Sequence, residues 1–478
     1  MSQLAEVIGT IADTITLYGT IWVLLGTGVY LTWRTRAMQL RLFKHMAAVV
    51  FRSRQGAHGG ISSFQAFCIS LAARVGVGNV FGVAAALLAG GPGAIFWMWI
   101  VALVGMATAF SEATLAQLFK VRADDGTFRG GPAYYMKRGM NAPVLGAIFA
   151  VITVVTCAFV ITTVQSNAIA STMAGSADTS PVMTAALLFA FAAPVILGGI
   201  RSVARVTELM APIMALIYVA MAAVIVVMNI TEFPRVIGMI FQSAFAPAPL
   251  VGGLGGGIIA AIINGIQRGL FSNEAGQGTA PNAAATATVT HPVRQGLIQS
   301  LGVFIDTIIV CTATAFIILV AGPEVWGAEG INPATLTTAA VAHALGEWAI
   351  VPMAIVIFVL AFSSIIAAYV YSEVNMVFVT PHRAGVWAVR ILSVFSVVLG
   401  ALVSLDVVWN AVDIAMAVMT MTNLVALIAL SKWVVGALGD YETQRANGVT
   451  EPVFRPQDNT HLPAPLPGNA FDDLPLQH

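Results

Sequence analysis

The sequence predicts an all-α polytopic membrane protein. It would have about eleven transmembrane helices, arranged as a 5+5 inverted repeat behind an extra N-terminal helix. Three observations predict it. Of 478 residues, 58% are hydrophobic and only 9% charged, where an ordinary soluble domain carries about 25% charged residues. Apolar runs of roughly the 20 residues needed to cross a bilayer recur along the whole chain. Two of those runs, far apart, are interrupted by glycines and polar residues at mid-span, the pattern that marks a secondary transporter's site when it falls in corresponding places of two halves.

Residues 1–58 hold the extra helix (about 14–33) and a basic loop with Arg34, Arg36, Arg41, Lys44, Arg52 and Arg54. Glu6 and Asp13 precede the first run without a basic n-region, so no cleavable signal peptide is expected. Residues 59–230 supply five spans, about 61–89, 94–119, 143–172, 180–200 and 206–230. The stretch 231–249, with Glu232, Pro234 and Arg235 among apolar residues, suits a short interfacial helix or lid. Residues 250–436 supply five more spans, about 250–285, 294–321, 348–379, 384–404 and 406–436. From 437 to 478 the chain turns polar and proline-rich, and a disordered cytoplasmic tail is expected.

Orientation follows from charge placement. Setting aside Arg74, Arg268 and Arg235, the other 19 of the 22 Lys and Arg fall where alternate crossing puts them on one side, which is the cytoplasm by the positive-inside rule. The N-terminus is then outside and the C-terminus inside. The interrupted span 61–89 runs outward, and its counterpart 250–285, five spans later, runs inward. The halves are inverted. The net charge of zero implies no nucleic-acid partner. Cys68, Cys157 and Cys311 are far apart in apolar runs, and the histidines are scattered, which excludes a metal spacing or disulfide framework.

The first break, Leu71-Ala-Ala-Arg-Val-Gly-Val-Gly-Asn79, leaves backbone groups unpaired where hydrocarbon offers no partner. N–H groups around Gly76, Gly78 and Asn79 begin an outer half-helix and suit a carboxylate; carbonyls around Ala72 and Val75 end the inner one and suit a cation. Close helix packing is the other use of such glycines. The second break offers carbonyls near Leu270 and Phe271, with Ser272 and Asn273. Arg74, Arg268 and Glu274 are buried charges, functional by default; a gate or structural ion pair is the expected role, with Asp306 and Glu112 as structural groups or counter-ions. Thr162, Gln165, Ser166 and Asn167 bring polar groups into the fourth span, for substrate contact or interhelical bonding. Ser363 and Ser364 bring hydroxyls into the ninth. Hydroxyls can ligate sodium, or simply bond back to their own helix.

Five segments are specific enough to carry a resemblance. They are Ala72-Ala-Arg-Val-Gly-Val-Gly-Asn-Val-Phe-Gly-Val83, Gly90-Gly-Pro-Gly-Ala-Ile-Phe-Trp-Met-Trp99, Arg268-Gly-Leu-Phe-Ser-Asn-Glu-Ala-Gly-Gln-Gly278, and His291-Pro-Val-Arg-Gln-Gly296 with Gly302-Val-Phe-Ile-Asp306. Together they resemble the bacterial and archaeal alanine/glycine:cation symporter family over roughly residues 60–435. The resemblance implies a LeuT-like fold in a bacterial or archaeal inner membrane, and uptake of a small neutral amino acid driven by Na⁺, with no other cofactor.

Carried over by position, it implies that Gly76, Gly78 and Asn79 hold the substrate carboxylate, that Gln165 contacts substrate, and that Phe271, Ser272, Thr162 and Ser364 line the pocket. The cation would sit between Ala72 and Val75 carbonyls and the hydroxyls of Ser363 and Ser364. Ala368 stands where relatives often carry tryptophan or asparagine, which enlarges the pocket and leaves room for serine or glutamine. Proton coupling, for which Glu274 is the nearest titratable group, is the alternative. A passive channel or an amino-acid sensor is a more distant one, and no nucleophile–base pair or metal motif suggests an enzyme.

Overall fold

The computed structural model describes residues 19–54, 60–123, 126–249, 254–328, 330–403, 406–468 and 470–471. Glu6, Asp13, the start of the first predicted span and residues 472–478 lie outside them. Nearly all of the described chain is helical, with one two-stranded hairpin pairing Val121–Arg122 with Phe128–Arg129.

Six helices are long and apolar enough to cross a membrane, or up to eight when each of two bent pairs counts as one span. These counts are of the described residues by length and composition, against about eleven runs read from the sequence. The difference arises where apolar runs are folded as short or broken helices. Pro181–Leu197, for example, is a single shorter apolar helix.

Helix Ser63–Arg74 begins with a capping box, in which Ser62 and Gln65 each satisfy the other's backbone N–H. It stops at Arg74, and the chain resumes as a wide turn Gly78–Gly82 and helix Val83–Gly90, bent by 47°. The second interrupted segment runs as helix Ile258–Asn273, an unwound stretch, and helix Ala280–Thr286. In that stretch Glu274, Gly276 and Gly278 all have positive φ, which two glycines accept without a Cβ penalty.

Helix Gly93–Leu118 packs along Pro292–Val303 and Ile258–Asn273, while Ile350–Val379 packs against Thr162–Ala177, Pro143–Val155 and Ser63–Arg74. The breaks therefore face one another inside a scaffold of longer helices. Buried Glu112, on Gly93–Leu118, holds the second break in shape. Its carboxylate accepts the N–H groups of Gly276 (3.1 Å) and Gly278 (3.0 Å) and the Asn423 amide. Unwound backbone is thus satisfied by protein, as the interior of a membrane protein requires.

Two expectations change at the C-terminal end. The run 406–436 is bent and not straight: helix Asp406–Ala429 ends before Ser431–Ala446, a second helix turned away by 58°. That second helix carries Lys432, Asp440 and Glu442. Nor is the segment from 437 disordered as far as residue 471. It continues the helix to Ala446 and then packs back on the protein, with Phe454 and Phe471 buried. This end also gathers basic loops: Arg41 pairs with Glu442 at 2.9 Å, Arg294 with Glu451 at 3.3 Å, and Arg138 donates to the Lys120 carbonyl. It is called the basic face below.

Candidate functional site: a cavity between the two breaks

A small cavity of about 20 Å³ lies where the two breaks meet, lined by Ala73, Arg74 and Gly78 from the first, Phe271 and Glu274 from the second, and Gln165, Ser364, Ala368 and Tyr371 from neighbouring helices. Ile161 and Met416 complete it. That volume has room for about one water molecule.

Close approach explains the glycines. A Cβ on Gly76 would overlap the Ser364 hydroxyl, and a Cβ on Gly78 would touch the Phe271 ring at 3.0 Å. Sites with any larger residue would push apart the helices that form the cavity. Two lining side chains carry unmet polar atoms. Gln165 Oε1 and the Nε and Nη2 of Arg74 are buried without a hydrogen-bond partner among the described residues, and Arg74 Nη1 donates only to the Gln299 carbonyl at 3.3 Å. Unsatisfied buried donors and acceptors are costly. A ligand with a carboxylate and an ammonium would satisfy them.

At the edge of the cavity Ser364 Oγ lies within hydrogen-bonding distance of the carbonyls of Ala72 (3.0 Å) and Ala73 (3.1 Å), and Ser363 Oγ lies 3.0 Å from the Ala72 carbonyl while bonding back to Leu360 of its own helix at 2.7 Å. Four oxygens thus converge from the end of a half-helix and from Ile350–Val379, a donor set suited to a hard cation. The Val75 side chain is buried and its N–H continues the half-helix to Leu71.

Other expected residues are placed elsewhere. Asn79 does not face the cavity: Nδ2 donates to Asp306 at 2.6 Å and Oδ1 accepts the Gly76 N–H at 3.0 Å. An amide carries both donor and acceptor, so it fills the break itself and leaves Gly76 without a free N–H for substrate. Ser272 likewise donates to Asp306 at 2.8 Å, and Thr162 bonds back to the Cys157 carbonyl.

The gate pairing is also absent. No ion pair within 4.0 Å joins Arg74 or Arg268 to Glu274 among the described residues; Glu274 accepts instead from Thr279 at 2.8 Å and faces Tyr371. Arg268 is half-buried outside the cavity lining. Tyr371 was missed in the sequence, although the spacing Ser364, Ala368, Tyr371 places all three on one helix face.

The sequence model of the sodium:alanine symporter family matches residues 1–456. The chain belongs to that family. Among its relatives, the amino-acid carrier protein AlsT of Bacillus subtilis is 45% identical over 91% of both chains. The probable sodium/glutamine symporter GlnT of the same organism is 41% identical over 95% of this chain and 94% of its own. The sodium/alanine symporter AgcS of Methanococcus maripaludis is 38% identical over 89% and 94%. Among solved structures, the manganese transporter of Eremococcus coleocola superposes with a TM-score of 0.51 at 14% identity, covering 82% of this chain and 81% of that one. At that identity the likeness is one of fold. Membership places the chain in a family of multi-pass amino-acid transporters.

Proposed function

We propose that this protein couples Na⁺ entry to uptake of a small neutral amino acid by alternating access. The observation that carries the reading is the cavity where both breaks meet, with Gln165 and Arg74 unsatisfied inside it and the Ser363 and Ser364 hydroxyls beside the Ala72 carbonyl at its edge. In this reading Arg74 and Gln165 take the substrate's polar groups, Gly76 and Gly78 permit close approach, and Phe271, Ala368 and Tyr371 set the size of side chain admitted. Sodium sits among Ala72, Val75, Ser363 and Ser364. The names of relatives, alanine for one and glutamine for another, fit a neutral substrate whose size varies with the wall at position 368.

A cavity with room for one water admits an amino acid only after the protein changes shape, which suits a site exposed to each side in turn. In our reading residues 59–230 and 250–436 are inverted five-helix halves of a LeuT-like fold, and the basic face is cytoplasmic. One Na⁺ moving down about 100 mV releases about 2.3 kcal/mol, and a tenfold gradient about 1.4 more. That drives several-hundred-fold accumulation.

Proton coupling is the second reading, favoured by one observation: Glu274 is a buried carboxyl lining the same cavity. Uptake of labelled L-alanine into proteoliposomes under an inward sodium gradient, a proton gradient or neither separates the two. Saturable accumulation with sodium alone supports sodium symport; accumulation with protons alone moves the coupling to Glu274; no recognition of alanine or of any neutral competitor rejects both.

A further inference from the structure

The segment after helix Ser431–Ala446 returns across the basic face and is anchored at several points. Gln444 exchanges two hydrogen bonds with the Val453 backbone, each 2.9 Å. The Phe454 N–H then donates to the Thr290 carbonyl at 2.9 Å. The Phe454 ring packs edge-on against His291 (5.2 Å) and Phe471 (5.1 Å). Phe471 lies 5.1 Å from the Lys120 ammonium, which donates to the Ala287 carbonyl at 2.9 Å. Two close approaches fix the path between these anchors. A Cβ on Gly436 would strike the His461 carbonyl, and one on Gly468 would meet the Arg138 guanidinium at 2.8 Å.

What the segment grips matters more than that it is ordered. Residues 287–291 join the end of the second broken span to helix Pro292–Val303. On one side of this short link the Thr288 N–H donates to Ile61, at the foot of the first broken span, where Ile61 and Ala287 form a parallel bridge. On its other side lies Phe454. One extended link is therefore held between the first broken span and the returning tail. Ile61 and the 287–288 backbone thereby tie the foot of the first broken span to the end of the second, and in the alternating-access reading this tie parts when the cavity opens toward the basic face. A tail that grips residues 287–291 in their joined position favours the closed arrangement, because a contact made in one state shifts the population toward it.

We propose that residues 449–468 with 470–471 form an autoinhibitory strap, anchored by Phe454 and Phe471, that holds the site closed toward the basic face until it is released. The proposal rests on the alternating-access reading above. Its anchors are two aromatic rings and a few hydrogen bonds, a set that can detach without unfolding a span.

The test uses the purified full chain with Ile61→Cys as reporter, Ile61 being 1% exposed, and a bulky maleimide as probe. Labelling is corrected by the chain without the reporter, because Cys68, Cys157 and Cys311 are buried. Phe454→Ala with Phe471→Ala should speed labelling roughly fivefold or more, the effect of losing even a modest closed-state preference. A second form guards against misfolding. A protease site placed at the exposed turn around Gly448 is cut after folding, and the tail fragment is removed by gel filtration. Faster labelling of either form supports the strap; labelling at the intact rate in the nicked, fragment-free protein overturns it. Neither sodium nor amino acid enters this assay, so failed uptake would reject the transport reading while leaving this result to stand.

Discussion

The Asn79 side-chain amide donates to the Asp306 carboxylate at 2.6 Å, tying the first break to the span that follows the second. Ser272 reaches the same carboxylate from the second break at 2.8 Å, and Thr307 completes the set at 2.8 Å. The breaks are joined through a buried carboxylate beside the cavity. What binds in the cavity has only to bridge what remains.

Asn79→Ala should therefore act on the fold as well as on transport. It strips one of three side-chain donors from a fully buried carboxylate and leaves the Gly76 N–H only the Arg74 carbonyl at 2.9 Å, a loss of about 1–3 kcal/mol for hydrogen bonds of this kind. A thermal melt in detergent should move down by several degrees. An unchanged melt with lost alanine binding would return Asn79 to the ligand.

Gly76→Ala and Gly78→Ala should differ in severity. The first methyl overlaps a Ser364 hydroxyl that is already hydrogen-bonded, whereas the second meets the edge of a Phe271 ring at 3.0 Å. Uptake should fall to background for Gly76→Ala and persist, reduced, for Gly78→Ala. Phe271→Leu should restore part of the Gly78→Ala loss.

Ser363→Ala combined with Ser364→Ala removes two hydroxyls that meet the Ala72 carbonyl. Half-maximal uptake should need about tenfold more sodium, the consequence of losing about 1.4 kcal/mol of cation binding. Sodium dependence like that of the parent would place the cation elsewhere.

Much of this site is legible in the chain and part of it is not. Both breaks follow from glycines and polar residues that apolar helices otherwise avoid, whereas the place of Ser364 beside the first break comes only from the family resemblance. Asn79, Ser272 and Thr162 were misplaced because sequence says that a polar group needs a partner but not which partner. Asp306 and Cys157 compete for them from within the protein. Charge and nearness to the breaks suggest that Glu274 pairs with Arg268 or Arg74, yet Arg74 donates to the Gln299 carbonyl and Glu274 accepts from Thr279. The tail misleads through its composition. Its prolines and polar residues read as disorder, while Phe454 and Phe471, separated by 17 positions, give no periodic signal of docking.

His45 links the basic loop to helix Ser431–Ala446 through Tyr441, at 2.9 Å. Burial, then Arg445, Arg294 and Arg52, push its pKa from the usual 6.5 down to about 4. The folded protein thus prefers the neutral ring, and the unfolded chain binds the proton first. His45 contributes stability above pH about 6.5 that is lost as pH falls toward 4. The parent should melt lower at pH 5 than at pH 7.5, and His45→Gln should narrow that gap; an equal gap in both would contradict the assignment.

The position of Ala368 gives a specificity test. Ala368→Val adds two methyl groups to the wall that Ser364 and Tyr371 share. Competition by glutamine should weaken more than competition by glycine. Equal effects on both would take residue 368 out of the size filter.

The most direct measurement is equilibrium binding of labelled L-alanine to the purified protein in sodium and in potassium, with and without the Ser363→Ala, Ser364→Ala pair. Because coupled sites change each other's affinity reciprocally, sodium should tighten alanine binding by about tenfold or more, and the serine pair should lose most of that gain. Alanine that binds equally well in either salt would contradict a sodium site beside the substrate cavity.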